Sequence, residues 1–128
     1  MRLLLDTHAV LWFFADDARL AEAASALIEN PENSCAVSLV TPWEVAVKVS
    51  LGKLRTPYGP GAELHRLLER NGMELLPLEP GDFDAVAALP FHHRDPFDRL
   101  IIAQAQVENL PLLSADPAFD AYGVRRLW

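Results

Sequence analysis

Short segments that are apolar throughout alternate along this chain with longer segments of helical periodicity. The apolar segments are the predicted strands: residues 2–5, 35–39, 74–76, 110–113 and 124–127. Strands without polar alternation have both faces covered, and strands that alternate with helices run parallel. The pattern therefore predicts an α/β fold, a three-layer α/β/α domain around a central parallel sheet of about four to five strands.

The helical segments show apolar residues at helical spacing or begin and end at recognisable boundary residues. We expect helices over residues 10–14, 20–28, 41–50, 62–70, 82–88 and 96–108. Thr41-Pro42 marks the start of one helix, Gly52 follows its end, and Asn71-Gly72 follows another. The clearest loop is Thr-Pro-Tyr-Gly-Pro-Gly at residues 56–61. These boundaries predict strand–helix units over the whole length, with no linker or repeat.

Length and composition limit the class of protein. A chain of 128 residues, 51% hydrophobic and 23% charged, is expected to form one globular domain over residues 1–128. The single cysteine, Cys35, excludes an intramolecular disulfide and a cysteine-rich zinc module. The apolar start ends at Asp6, and the longest apolar run, residues 9–15, is too short to cross a bilayer. We therefore expect a cytoplasmic protein without a leader or a membrane segment.

The charge balance is acidic, with 11 Lys and Arg against 18 Asp and Glu and a net charge of −7. This balance argues against a protein whose affinity comes from covering nucleic acid phosphates with positive charge. It leaves a nucleic acid substrate open, because divalent cations would neutralise a cluster of carboxylates.

Four carboxylates lie where strands end or helices begin. Asp6 follows the first strand, Glu44 opens the helix after the second, Asp98 opens the long helix, and Asp116 follows the fourth strand. Ligands of parallel α/β sheets bind beyond the carboxyl ends of the strands. We therefore expect the four side chains to meet at one rim of the sheet.

Helix capping is the structural alternative for each of these acids. Thr41-Pro42-Trp43-Glu44 and Asp95-Pro96-Phe97-Asp98 have the form of capping boxes, and Asp116-Pro117 is a further cap candidate. Taken singly, each acid is well explained in this way. Taken together, oxygen ligands without cysteine or histidine at metal-ligand spacing predict a site for a hard cation, Mg²⁺ or Mn²⁺, rather than zinc.

Four motifs, in this order, resemble those of PIN-domain ribonucleases and are most similar to the VapC-type toxins of bacterial toxin–antitoxin pairs. The motifs are LLLDTH (3–8), PWE (42–44), DPFDRLIIAQA (95–105) and LLSADPAF (112–119). The resemblance covers essentially the whole chain, and the third motif is the most specific. His8 departs from the pattern, since many members carry Asn or Ser there, and we expect it to be tolerated and to tune substrate contact.

The resemblance implies a function and a site. It places the catalytic, metal-binding quartet at Asp6, Glu44, Asp98 and Asp116, with Thr7, Asp95 and Ser114 as supporting residues. It implies Mg²⁺- or Mn²⁺-dependent endonucleolytic cleavage of single-stranded or looped RNA that leaves a 5′-phosphate and a 3′-hydroxyl. The implied partners are an RNA substrate, a cognate antitoxin and a second copy of the chain.

Other functions fit less well. A receiver domain would need an acceptor Asp after the third strand and a late lysine, yet no lysine follows Lys53. A haloacid-dehalogenase-type phosphatase would need Asp-x-Asp where the chain has Asp6-Thr7-His8. A non-catalytic PIN-like module that binds RNA or a protein partner remains the alternative.

Several further residues have two interpretations. The basic residues expected near the rim either contact RNA phosphates or are solvated charges; they are Lys48, Lys53, Arg55, Arg94 and Arg99. His92-His93 is interpreted as part of a polar loop before a helix cap, with base stacking as the alternative. The apolar run 10–14 either contacts a partner or lies beneath the next helix, and Trp43 is equally ambiguous. Cys35 is expected in the core.

Overall fold

A parallel sheet of five strands lies at the centre of the computed structural model, which describes residues 1–128. The strands are β1 (Arg2–Leu5), β2 (Ser34–Ser38), β3 (Glu74–Leu76), β4 (Leu112–Leu113) and β5 (Arg126–Leu127). Every pair is parallel and the order is β3-β2-β1-β4-β5. The predicted α/β class is confirmed. The first three strands differ from prediction by at most one residue at each end, whereas β4 and β5 each begin two residues late.

Six α-helices connect and cover the strands. They are α1 (Thr7–Phe14), α2 (Glu22–Glu29), α3 (Val40–Ser50), α4 (Ala62–Arg70), α5 (Pro80–Ala88) and α6 (Pro96–Val107). A 3₁₀ helix, Pro117–Tyr122, was not predicted and precedes β5. The start of α1 was predicted three residues too late, because the helix begins directly after Asp6 and Val10 N–H already donates to Asp6 O at 3.1 Å.

The capping predictions have mixed outcomes. Asp95 caps α6, since its Oδ1 accepts the backbone N–H groups of Phe97 and Asp98, and Asp116 caps the 3₁₀ helix by accepting from Ala118. The capping box at Thr41 was wrong. The α3 helix begins earlier, at Val40, whose N–H donates to Ser38 Oγ at 3.0 Å. The side chain of Thr41 is therefore free for another partner.

The core consists of two layers, one on each face of the sheet. Leu3, Leu4 and Leu5 are all fully buried, but successive side chains point to opposite faces. Leu4 packs with α6, whereas Leu3 and Leu5 pack with residues of α1, α2 and α4. Cys35 belongs to the second layer, as expected. This arrangement explains why the strands lack polar alternation.

Arg99 is a structural residue and not a rim cation. Its side chain is buried and donates to Pro90 O at 2.9 Å, to Leu89 O at 3.3 Å and to the Tyr122 hydroxyl at 3.3 Å. The interpretation of Arg99 as an RNA contact is therefore wrong. The guanidinium instead satisfies the carbonyl groups of the segment between α5 and α6, and so holds that segment against α6.

The apolar run in α1 is divided between core and surface. Val10 is fully buried, whereas Leu11 to Phe14 are half-buried, and Phe13 and Phe14 pack at the edge of the core. Trp43 is 54% exposed and its ring meets Phe97 edge-on at 4.8 Å. None of the helices combines the length and apolar character needed to span a membrane.

Candidate metal centre

The centre of the site lies at the carboxyl ends of β1 and β4, which are neighbours in the sheet. Asp6 follows β1 and Ser114 follows β4, so the two residues emerge side by side. Ser114 Oγ donates to Asp6 Oδ2 at 2.9 Å and also accepts the Asp116 N–H at 3.1 Å. Ser114 thus orients one predicted acid directly and the backbone of another.

Glu44 reaches the same rim from α3, the helix that follows β2. Its side chain is 1% exposed and its Oε2 accepts from Lys48 Nζ, one turn later on the helix. One turn earlier, Thr41 Oγ1 lies 2.9 Å from Thr7 Oγ1, which links the start of α3 to the start of α1. Thr7 therefore supports the site by holding two helices together.

Asp98 approaches from the first turn of α6, held there by the Asp95 cap. Carboxylate oxygens of Glu44, Asp95 and Asp98 all lie within 4.8 Å of one another. Asp95 was expected only to support the site, but its carboxylate is close enough to be counted in this group. Capping and ligation are compatible because the cap uses only Oδ1.

Asp116 and His93 are further neighbours of the Asp98 carboxylate. His93 Nε2 lies 3.1 Å from Asp98 Oδ2 and 3.4 Å from Asp116 Oδ2. His93 Nδ1 accepts the Asp95 N–H at 3.1 Å, so the proton of the neutral ring is on Nε2, the nitrogen next to the two carboxylates. His93 Nε2 and one oxygen each of Asp98 and Asp116 lie within 4.8 Å of one another, so the imidazole borders both acids.

The environment of Asp98 strongly favours its protonated form. Burial, followed by the charges of Asp6, Asp95, Glu44 and Asp116, raises the pKa of Asp98 to about 8. Burial also raises the pKa of Asp6, against the opposing effects of the Ser114 hydrogen bond and His8. Acids placed this close repel one another unless a cation lies among them.

Lys48 is the one lysine that contacts the cluster. Burial alone would lower the pKa of Lys48, but the hydrogen bond and charge of Glu44, with the charges of Asp95 and Asp98, raise it above the usual value. Its ammonium group therefore stays charged and offsets part of the acidic repulsion. This ion pair means that Lys48 is engaged within the site and is not a free phosphate contact.

Two carboxylate oxygens in the site have no hydrogen-bond partner. Asp6 Oδ1 and Glu44 Oε1 are both buried and both unpaired. A buried, unsatisfied anionic oxygen is costly, and native proteins normally pair such groups or use them to bind metal. The free oxygens fit a hard cation, because that cation would supply the missing partner for both.

All four predicted acids thus reach one rim, together with Asp95, Thr7 and Ser114. Asp6 lies outside the two groups of closely spaced ligand atoms, which are Glu44, Asp95 and Asp98 and then His93, Asp98 and Asp116, but its charge still acts on Asp98. The sequence interpretation missed the roles of His93 and Thr41. His93 stands two residues before the Asp95 cap, and no periodicity or spacing signal distinguishes it from an ordinary loop histidine.

The sequence matches a family model described as the PIN domain over residues 3–124. A comparison with curated protein sequences gives no match.

Solved structures with a similar fold include a complex from Rickettsia felis, VapBC2 bound to a DNA fragment from the promoter. Its matching chain has a TM-score of 0.71 and 17% identity, and the alignment covers 99% of this chain and 98% of that one. FitAcB from Neisseria gonorrhoeae matches with a TM-score of 0.67, 20% identity and coverage of 98% and 96%. A toxin–antitoxin complex from Klebsiella pneumoniae matches with a TM-score of 0.61, 19% identity and coverage of 98% and 96%. At these identities the likeness shows the shared fold.

Proposed function

The chain belongs to the PIN-domain family, and from this premise we propose that it is a metal-dependent endoribonuclease. The observation that supports the proposal is the convergence of Asp6, Glu44, Asp98 and Asp116 on one rim, with two buried carboxylate oxygens unpaired. A structural network would pair these oxygens internally. A cation site leaves them free for the ion.

Asp6, Glu44, Asp98 and Asp116 would hold the ion, and Asp95 lies close enough to assist. Mg²⁺ or Mn²⁺ bound there would supply Lewis-acid activation of water and of the scissile phosphodiester. An all-carboxylate set suits these hard ions better than zinc.

The surrounding residues position these acids. Ser114 holds Asp6 through Oδ2 and leaves Oδ1 free, and Lys48 holds Glu44 through Oε2 and leaves Oε1 free. His93 Nε2 lies 3.1 Å from Asp98 and 3.4 Å from Asp116. Asp6 and Glu44 are thus each held through one oxygen while the other oxygen remains available, which is the preorganisation that phosphoryl chemistry needs.

We also propose that the chain is the toxin of a toxin–antitoxin pair, with an antitoxin and a second copy of itself as partners. The support is the fold shared with the Rickettsia felis, Neisseria gonorrhoeae and Klebsiella pneumoniae complexes. The half-buried Phe13 of α1 and the exposed Trp43 are surfaces that partners would cover.

The experiment is cleavage of a mixed pool of structured and single-stranded RNA by purified protein free of any partner. The reaction is run with Mn²⁺, with Mg²⁺ and with chelator, and with the variants Asp98→Asn and Asp84→Asn. Asp84 is an exposed carboxylate on α5, away from the site, and serves as the matched control. Cleavage should require metal, fall at least about 100-fold in Asp98→Asn and persist in Asp84→Asn.

The products should carry 5′-phosphate ends, which accept label from a kinase only after phosphatase treatment. Cleavage that survives Asp98→Asn would show that the site is misassigned or that the activity is a contaminant. A folded protein that binds Mn²⁺ but leaves the whole pool intact would favour the non-catalytic, binding function instead.

A further inference from the structure

A groove leads away from the acidic cluster between α1 and the chain that follows α3. Its inner part, about 220 Å³, is lined by Thr7, Glu44 and Lys48, and its outer part, about 460 Å³, extends to Trp12, Arg55 and Tyr58. The two parts share His8, Leu11, Lys53 and Leu54, so they form one continuous depression. The outer part has the size of a small-ligand site, roughly 300–1,000 Å³.

The turn after α3 places two free cations in this groove. Gly52 adopts a left-handed conformation with φ of 71°, and Lys53 N–H donates to Lys48 O at 2.9 Å, so the chain reverses towards α1. Lys53 and Arg55 are exposed and form neither an ion pair nor a side-chain hydrogen bond. Among the lysine and arginine side chains that line the groove, these two are therefore the ones without an acidic partner.

The acids that line the groove are already neutralised. Asp17 is held by Arg19 at 2.7 Å, and Glu44 is held by Lys48. The groove therefore carries a net positive charge although the whole chain carries −7. Local charge of this sign attracts anions into the cleft that ends at the acidic site.

Aromatic rings line the same groove beside the cations. His8 lies where the two parts meet, is exposed, and has its ring centroid 5.5 Å from that of Trp12. Tyr58 is half-buried on the opposite wall and meets Phe14 edge-on at 6.5 Å. Proteins that bind single-stranded nucleic acids combine aromatic rings, which stack on bases, with cations that contact the phosphates.

We propose that this groove binds the nucleotides on one side of the scissile phosphate of a single-stranded RNA. Lys53 and Arg55 contact backbone phosphates, while the exposed ring of His8 stacks on a base. The proposal rests on the ribonuclease function proposed above, and it gives that function a substrate path with named contacts. A polyanion fits better than a protein segment, because the walls are both cationic and aromatic and run continuously to the acidic cluster.

The phosphate contacts are tested by the double variant Lys53→Ser/Arg55→Ser. The probe is a fluorescein-labelled 12-nucleotide single-stranded RNA of mixed sequence, followed by anisotropy in chelator so that no cleavage occurs. We expect the affinity for the RNA to fall about tenfold. The slope of log K against log salt concentration should become less negative by about 1.4, which corresponds to two phosphate contacts on a single strand. The matched control, Arg66→Ser/Arg70→Ser, removes two exposed and unpaired cations of α4 outside the groove and should change affinity less than twofold.

The base contact is tested by His8→Ala, which alters an exposed side chain and leaves the core intact. We expect roughly three- to tenfold weaker binding of the RNA, since stacking contributes at this level. A 12-residue abasic ribose-phosphate strand should bind the variant and the unaltered protein equally well. Equal loss for both strands would contradict base stacking.

The experiments distinguish failure of the groove proposal from failure of the proposed ribonuclease function. If the double variant binds RNA as well as the unaltered protein does, while cleavage still requires metal and Asp98, the groove is not the substrate path and the enzyme assignment stands. If the double variant keeps its RNA affinity but loses a co-expressed protein partner, the groove belongs to that partner. If the unaltered, folded protein binds no RNA, the groove proposal is overturned.

Discussion

At the scale of one residue, the carboxylate of Asp98 lowers the stability of the metal-free folded protein, because it is buried among other acids. Its pKa of about 8 means that, between about pH 4 and 8, the folded protein holds a proton on Asp98 that the unfolded chain, with the ordinary aspartate pKa of 3.8, has released. The contribution of Asp98 to stability is therefore complete below about pH 4 and is lost as pH rises through about 8. Near neutral pH the metal-free fold is already weakened by this carboxylate.

Asp98→Asn should make the metal-free protein more stable at pH 8. Asparagine keeps the size of the side chain and an oxygen for His93, but it removes the charge that Asp6, Asp95, Glu44 and Asp116 repel. We expect a gain of roughly 1–3 kcal/mol at pH 8, falling to about zero near pH 4. Thermal unfolding in chelator measures it, with Asp84→Asn as the control. A variant that melts below the unaltered protein at pH 8 would refute this account of the site.

At the scale of elements, the site depends on how α3 and α6 are fixed to the sheet. Gln104 of α6 is 1% exposed and contacts two other elements. Its Oε1 accepts from Ser38 Oγ at the end of β2, and its Nε2 donates to Pro77 O just after β3 at 3.1 Å. Ser38 in turn receives the first N–H of α3. A single amide thus sets the relative position of the helices that carry Glu44 and Asp98.

Gln104→Leu should destabilise the fold by about 2–4 kcal/mol, because it leaves the buried Ser38 hydroxyl without its acceptor and removes the hydrogen bond to Pro77 O. Gln106→Leu is the matched control on the same helix. Its amide makes one hydrogen bond, to Tyr122 O at 3.1 Å, and its side chain is exposed, so a loss below about 1 kcal/mol is expected. Urea denaturation distinguishes the two. Equal losses would show that the buried network contributes nothing beyond an ordinary surface contact.

At the scale of the whole molecule, the strand order creates the site. β1 lies between β2 and β4 in the sheet. The carboxyl ends of these three parallel strands therefore border one crevice. Ligands of open α/β sheets bind at such a position. The same order lets α3 and α6, which follow different strands, deliver their acids to that crevice.

Metal binding should therefore stabilise the entire fold, and should do so in a pH-dependent way. A ligand that binds only the native state raises the melting temperature by mass action. Because Asp98 must lose its proton to bind a cation, about 1 mM Mn²⁺ should raise the melting temperature by several degrees at pH 8 and by much less at pH 5.5. Asp6→Asn should abolish most of the rise. A shift of equal size at both pH values would show that the ion binds elsewhere.

The sequence by itself determined the parallel α/β class, the first three strands to within one residue, the caps Asp95 and Asp116, and the four acids that meet at one rim of the sheet. These features depend on local rules, since periodicity and capping act within one or two turns of chain. Only the tertiary structure decided that Ser114, 108 residues from Asp6, holds its carboxylate. It also decided that Arg99 is buried, that Thr41 contacts Thr7 instead of capping α3, and that His93 faces the acids. The reason is that such contacts follow from strand order and helix packing, which bring together residues far apart in the chain and leave no periodic trace in it.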